Sequence, residues 1–446
     1  MKKLLLLLVL GLLAFAGIGV ANILSGPPTG TTLTRNASQD AEFLKIALML
    51  ERGCANCHST ETKMPFYAVI PGAGHLVRHD IEVGRRYFDV TRELDGADGG
   101  LVSEVALAKT EWVIEAGTMP PLQYVALHWD AMPTSEEKRL LMDWIRRVRG
   151  ERFAHEGLEP GTPLATAVVR PLRATIPTDP AKVALGKALY NDKRLPGDDT
   201  LSCASGHDLA KGGVDRLQFS KGVRDQIGPI NAPTVYNAAL QFAQFWDGRA
   251  ATLEDQADGP PNNPLEMDSN WPQILEKLNR DEAFLAGFNA VYPEGPSKET
   301  VTHAIAEFER TLLTPNAPFD RFLRGEADAL DADQQAGWAR FQERGCTMCH
   351  VGELLGGRSF EWMGRTGNYF ADRGTPVTDA DAGRFNVTKN EADRYRQKVP
   401  TLRNIAQTPP YLHDGTAQDL ATAVDVMGKY ELGVTLEPGE TVQIVR

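Results

Sequence analysis

Basic charge is in short supply: 47 lysines and arginines face 59 aspartates and glutamates, a net charge of −12. That balance excludes nucleic acid as a main partner and argues against an anionic lipid surface, while leaving room for a basic redox protein. Few segments alternate apolar and polar residues with period two, so little sheet is expected and the fold class is mainly α. Cysteine is scarce, with five in 446 residues. What remains is ordinary: 42% hydrophobic and 24% charged residues describe a globular protein with substantial cores. The length is too great for one ordinary domain.

The first residues break the pattern. Met1-Lys2-Lys3 precedes an uncharged, largely apolar run from Leu4 to Leu24. As a helix at about 1.5 Å per residue, this run spans roughly 30 Å, a bilayer core. The lysines would stay in the cytoplasm, placing everything after the run on the outer side. A cleaved signal peptide is the alternative, with Gly19-Val20-Ala21 as a passable cleavage site, but apolar regions of such peptides are usually about 7–15 residues. Either way the chain is exported, and residues 1–24 are read as a transmembrane anchor or signal. The expected location is the periplasm, with anchoring to the inner membrane.

In an oxidising compartment five cysteines would ordinarily mean two disulfides and a spare. Their spacing says otherwise. Cys54-Ala-Asn-Cys57-His58 and Cys346-Thr-Met-Cys349-His350 are both Cys-x-x-Cys-His, and Cys203-Ala-Ser-Gly206-His207 is the same pattern with glycine for the second cysteine. This is the attachment signature of haem c, in which both thiols bond the porphyrin and the histidine ligates the iron. A redox disulfide or half a zinc site explains one such motif but poorly explains two complete copies and a third partial one. The middle site, held by Cys203 alone, is either a haem attached by a single thioether or a dead site.

Residues 25–40 form a polar linker, 41–155 an N-terminal haem domain, and 156–180 a Pro-rich linker. The rest contains an internal repeat. Ala232-Pro233-Thr234-Val235-Tyr236-Asn237-Ala238-Ala239 is echoed by Val399-Pro400-Thr401-Leu402-Arg403-Asn404-Ile405-Ala406, Trp246-Asp247-Gly248 by His413-Asp414-Gly415, and Leu253 by Leu420, all at an offset of 167. The expectation is three cytochrome c-like haem domains, the last two (181–320 and 321–446) an internal duplication.

Function turns on the sixth ligand of each iron: a methionine makes an electron carrier, an open position allows chemistry. Met427 lies fourteen residues beyond His413, and the matching position of the first copy is Pro260. The iron at His350 is therefore expected to have His/Met ligation, and the iron at His207 to be open. For the iron at His58 the candidate is Met119, with Met132, Met64 and His75 as rivals. An open iron facing peroxide needs a group that moves a proton between the two oxygens. Glu266, in Asn263-Pro264-Leu265-Glu266, supplies a carboxylate, although taken alone it is an ordinary surface acid.

From about 181 to 446 the chain resembles the bacterial di-haem cytochrome c peroxidases. The resemblance rests on Leu185-Gly186-Lys187-Ala188-Leu189-Tyr190, Gly212-Gly213-Val214-Asp215, Asn231-Ala232-Pro233-Thr234, Phe245-Trp246-Asp247-Gly248-Arg249-Ala250, Asn263-Pro264-Leu265-Glu266-Met267, Tyr411-Leu412-His413-Asp414-Gly415 and Met427. It implies a peroxidatic haem at Cys203/His207 and an electron-transfer haem at Cys346/Cys349/His350 with Met427. Trp246 would be the electron bridge, and Glu266 with Gln256 the acid/base pair. It further implies a calcium ion held by the Asn231 side chain and the carbonyls of Thr408 and Pro410. Val223 stands where the family's distal histidine falls, which implies an open peroxidatic haem in the oxidised state. With the Cys54/Cys57/His58 domain and the apolar run, the whole is similar to tri-haem, membrane-bound quinol peroxidases. Electrons from membrane quinol or a c-type cytochrome would then enter at His58, pass His350 and reach hydrogen peroxide at His207. A homodimer is compatible with the resemblance.

Two other functions compete. A non-enzymatic multihaem electron-transfer cytochrome would have no open iron. Oxidative modification of a protein partner, as in di-haem enzymes that mature tryptophan-derived cofactors, is disfavoured because those carry tyrosine where Met427 stands.

Overall fold

The computed structural model describes residues 2–25, 31–37, 40–61, 64–96 and 102–446. Residues 26–30 and 38–39 of the expected linker 25–40 lie outside these. The chain divides into two compact units, residues 1–154 with 158–168, and residues 155–157 with 169–446.

The first unit begins with α1 (Lys2–Ser25), long and apolar enough to cross a membrane by length and composition. In α2 (Ala41–Leu50) the Asp40 side chain accepts from the Glu42 and Phe43 amides, satisfying two of the first-turn donors. Phe43, Ile46, Ala47 and Leu50 recur at helical spacing and are all buried. The helix runs on into a π turn, Glu51–Ala55, which delivers Cys54. Such wide turns concentrate at functional positions. Around it pack α3 (Ala73–Tyr87), α4 (Glu104–Glu115) and α5 (Ser135–Phe153). A reciprocal cap between Thr134 and Glu137 starts α5, and Phe43 stacks on Trp144 with ring centroids 5.3 Å apart.

The second unit contains α6 (Pro180–Tyr190), α7 (Leu253–Asn262), α8 (Trp271–Asn279), α9 (Glu282–Val291) and α10 (Lys298–Arg310). It continues with α11 (Ala332–Glu343), α12 (Leu420–Val426) and α13 (Pro438–Val445). Gly186 lets α6 cross α10 closely, since a Cβ there would strike the Ala304 carbonyl. Among the described residues the one sheet pairs β1 (Phe360–Trp362) antiparallel with β2 (Arg396–Lys398), Phe360 opposite Lys398. Helix dominates because few segments offer the alternating pattern a half-buried strand needs.

The Pro-rich stretch 156–180 is built into the units rather than strung between them. Leu172 is fully buried, and its amide donates to Asp320 Oδ1 at 2.9 Å. The buried Arg403 guanidinium binds the same Asp320 oxygen at 2.7 Å and the Arg170 carbonyl at 3.0 Å.

The two repeated stretches share their backbone course. Asn237 and Asn404 both take left-handed φ (60° and 61°), as do Phe245 and Leu412 (65° and 71°). Each asparagine donates to the same hydroxyl, Thr314 Oγ1, at 2.9 and 3.0 Å. The bridge Gln244–Ala250 has its counterpart in Tyr411–Ala417, and α7 and α12 start at Leu253 and Leu420. Each pair is separated by 167 residues.

Candidate functional site

All five cysteines are among the described residues, and none is in a disulfide. Burial pushes the thiols of Cys54, Cys203 and Cys346 up to about 12 and that of Cys57 to about 11. A redox-active pair needs the opposite, a stabilised thiolate. Apolar surroundings suit thioether attachment of a porphyrin. Burial also lowers the proton affinity of His58 (to about 4), His207 and His350, so each imidazole is neutral. His350 Nδ1 donates to the Leu355 carbonyl at 2.9 Å and His207 Nδ1 to the Gly213 carbonyl at 3.3 Å. That leaves Nε2 of both as the iron ligand, oriented by the second hydrogen bond.

A cavity of about 310 Å³ in the second unit brings Cys346, Cys349, His350 and Met427 to one space. Met427 opens a π turn, Met427–Leu432, directly after α12. The corresponding Pro260 sits inside α7 and offers no donor. These residues fit a haem c with histidine and methionine ligation. Trp246 lines the same cavity, and its indole N–H donates to the Asn231 carbonyl at 2.8 Å. Asn231, Thr408 and Pro410 also line it. Asn231 Nδ2 donates to the Leu217 and Gln218 carbonyls, which leaves its Oδ1 as an acceptor.

At the middle motif, Cys203 packs against two apolar clusters, one built on Leu189, Leu278 and Phe288 and one on Tyr190, Val235 and Phe308. A Cβ at Gly206 would meet nothing within 4 Å, so the position has room for a side chain. Glu266 is carried by the turn after α7, and Asn263 Nδ2 donates to its carboxylate at 2.6 Å. Burial raises the Glu266 pKa, opposed by Asn263 and Arg249, and its charge bears on Cys203. Gln256 lies half-buried on α7, the helix leading into that turn. Val223 is fully buried, and its amide donates to the Glu266 carbonyl at 2.8 Å. Lys221 and Ile227 pair across the same tight loop.

In the first unit, Gly53 lies against Pro120 (3.6 Å from an added Cβ) and the Ala131 carbonyl, so the segments carrying Met119 and Met132 both flank Cys54. Met119 is 37% exposed; Met64 and His75 are exposed too. His58 packs against Phe88 at 5.1 Å between ring centroids.

Several buried groups make contacts that the sequence does not signal. His413, matched to Trp246 by the 167-residue offset, sets its ring edge-on to that indole at 6.2 Å and donates to Asp381 at 2.8 Å. Asp381, His413 and Asp414 come close enough to hold a metal, but Arg373 donates to both carboxylates and takes the cation's place. Lys398, on β2, lines the cavity and donates to the Ala243 carbonyl at 2.9 Å; burial brings it down to about 7. Glu309, on α10, is pushed up to about 8 by burial. The repeat points to His413 and Asp414, but motif spacing gives no signal for Asp381, Lys398 or Glu309, because each charge is placed by contacts distant in sequence.

Glu309 yields a stability prediction. Its folded pKa lies above the unfolded value of 4.5, so its contribution is full below about pH 4.5 and is lost as pH rises through about 8. Glu309→Gln, which mimics the neutral acid, should equal the native chain in melting temperature near pH 5 and exceed it near pH 8.5, by about 2–4 °C per kcal/mol. Thermal unfolding followed by circular dichroism checks this.

Cys-x-x-Cys-His motifs in a helical frame, one of them sharing a cavity with Met427, define a c-type cytochrome. Residues 180–328 match the di-haem cytochrome c peroxidase family model, and residues 16–147 match a haem-binding domain. The chain is 46% identical to cytochrome c peroxidase Ccp of Escherichia coli (strain K12) over 404 residues, 90% of this chain and 85% of that protein. It is 42% identical to cytochrome c551 peroxidase of Nitrosomonas europaea, covering 66% of this chain and 86% of the relative. A MauG-like protein associated with microbial copper homeostasis superposes with a TM-score of 0.55 at 25% identity, over 64% of this chain and 93% of that one. The chain belongs to the di-haem cytochrome c peroxidase family, and it is a peroxidase.

Proposed function

We propose that this peroxidase reduces hydrogen peroxide to two waters at the Cys203/His207 site, with two electrons and two protons. The reading gives the sites an order: entry at His58, storage at His350 with Met427, and reaction at His207. Haem c, when bound, supplies the one-electron storage and the iron that peroxide meets. The protein supplies proton handling. Ionised Glu266 takes the proton from the peroxide oxygen nearer the iron and returns it to the farther oxygen, which then leaves as water. Gln256 orients the peroxide. Asn263 holds the carboxylate, and Arg249 favours its ionised form. Trp246 is the bridge between the two sites of the second unit, and Asn231, Thr408 and Pro410 hold calcium beside it. The two haem segments of that unit are read as an internal duplication. The apolar α1 anchors the enzyme in the inner membrane, with the rest in the periplasm. A membrane quinol or a c-type cytochrome is the donor.

The observation that carries the reading is the pairing of Val223 with Glu266. A buried valine whose backbone is tied to the acid/base residue can neither ligate iron nor displace Glu266. The resting, fully oxidised enzyme should therefore show one high-spin ferric centre by electron paramagnetic resonance, reactive without prior reduction. A low-spin bis-histidine signal from that haem would overturn this.

A further inference from the structure

Tyr67, Tyr124 and His128 form a hydrogen-bonded cluster in the first unit that the attachment motifs do not use. The Tyr124 and His128 rings stack at 3.9 Å, 9° from parallel. His128 Nδ1 lies 3.1 Å from the Tyr124 carbonyl, and a carbonyl can only accept, so the proton is on Nδ1. Nε2 is thereby the acceptor of the ring, with the Tyr67 hydroxyl 3.4 Å away. Burial keeps His128 neutral, against the opposing pull of Asp130. The cluster abuts the first haem motif: Asn56, between Cys54 and Cys57, donates to the Tyr124 hydroxyl at 2.5 Å.

The apolar helix ends on the neighbours of His128, Leu127 and Trp129. Asn22 Nδ2 donates to the Leu127 carbonyl at 2.7 Å, and the Trp129 indole covers Gly19. The segments bearing the cluster also expose large apolar side chains: Phe66, Val69 and Ile70 beside Tyr67, and Leu122 and Trp129 beside Tyr124 and His128. Leu122 and Val69 are 80% and 86% exposed. Exposed apolar groups of this size, where they gather, mark a surface that is covered in use, and the helix able to cross a membrane packs against the Leu127–Trp129 segment.

We propose that a lipid-soluble hydroquinone binds at this face and is oxidised with His128 Nε2 as the proton acceptor. This rests on the reading that electrons enter at His58. A donor reaching the site from the membrane must be apolar, and a neutral imidazole acceptor beside a one-electron centre suits a donor that loses protons with its electrons. Each hydroquinone breaks two O–H bonds. Two electrons pass singly to the iron held by His58, each reducing ferric to ferrous iron, with onward transfer between them. The first proton goes to His128 Nε2, which releases it to solvent past Asp130 before accepting the second. The quinone product has no O–H to donate to Nε2 and returns to the membrane.

The test uses the full-length holoprotein in lipid nanodiscs. Decylubiquinol is mixed anaerobically and reduction of the haem absorbance is followed; separately, a fluorescent hydroxyquinoline N-oxide is titrated as a redox-inactive analogue. His128→Gln should slow quinol-driven reduction about tenfold and raise the Kd of the analogue about tenfold, and Tyr67→Phe should do each about threefold. If His128→Gln fails to incorporate haem, Tyr67→Phe decides. Native rates and native Kd in the variants would overturn the site while leaving the electron-entry reading intact. Failure of quinol to reduce the native protein, with rapid reduction by ferrocytochrome c, would overturn both the site and a quinol donor.

Discussion

Glu266→Gln lowers kcat/KM for hydrogen peroxide by about 10²–10⁴-fold, the usual contribution of a positioned acid/base group, with the haem content unchanged. The amide keeps the shape and the hydrogen-bonding reach of the side chain but can neither take nor return a proton. The pH profile supplies the sharper readout. In the proposed role of base Glu266 must be ionised before peroxide arrives, and burial raises its pKa. Activity of the native enzyme should fall on the acid side through that raised value, and the variant should lose this limb altogether. Steady-state rates across pH with an artificial donor measure both. An unchanged acid limb in Glu266→Gln would assign the proton transfer to another group.

Cys203→Ser should abolish covalent haem at the middle site and reduce peroxide turnover to background, because this is the one thiol available there. The opposite change is equally informative. Gly206 presents open space where a side chain would project, so Gly206→Cys should be accepted without clash and form the second thioether. The α-band of the pyridine haemochrome should move to shorter wavelength as the remaining vinyl is consumed. Haem stoichiometry should rise towards three per chain if single attachment limits loading. Two haems in the native chain and two in Gly206→Cys would mean that the middle site does not take haem at all, leaving an electron carrier.

Much of the chemistry was legible without coordinates. Cys-x-x-Cys-His is a local pattern, since attachment needs two thiols and a histidine within one helical turn, and such information survives in a linear string. The 167-residue repeat was equally readable, and its backbone counterpart appears in the paired left-handed φ angles of Asn237 and Asn404. The α2 helix, Ala41–Leu50, is closed by a π turn whose register no propensity anticipates. The stretch 156–180 read as a linker from its prolines, yet Arg170 and Leu172 are buried. Proline marks a break in regular structure but says nothing about burial.

The sequence by itself determined the two Cys-x-x-Cys-His motifs and the partial one at Cys203, the mainly helical class, the apolar N-terminal run and the asymmetry between Met427 and Pro260. Each of these depends on residues that are neighbours in the chain or related by one constant offset. Only the tertiary structure decided that Val223 is tied to Glu266, that Arg373 fills the space between Asp381 and Asp414, that Lys398 reaches the cavity of Met427, and that His128 meets Tyr67 while its neighbours Leu127 and Trp129 meet the end of the apolar helix. Those are contacts between segments tens to hundreds of residues apart. Burial and hydrogen bonding set the charge of each group there, and neither exists until the chain has packed.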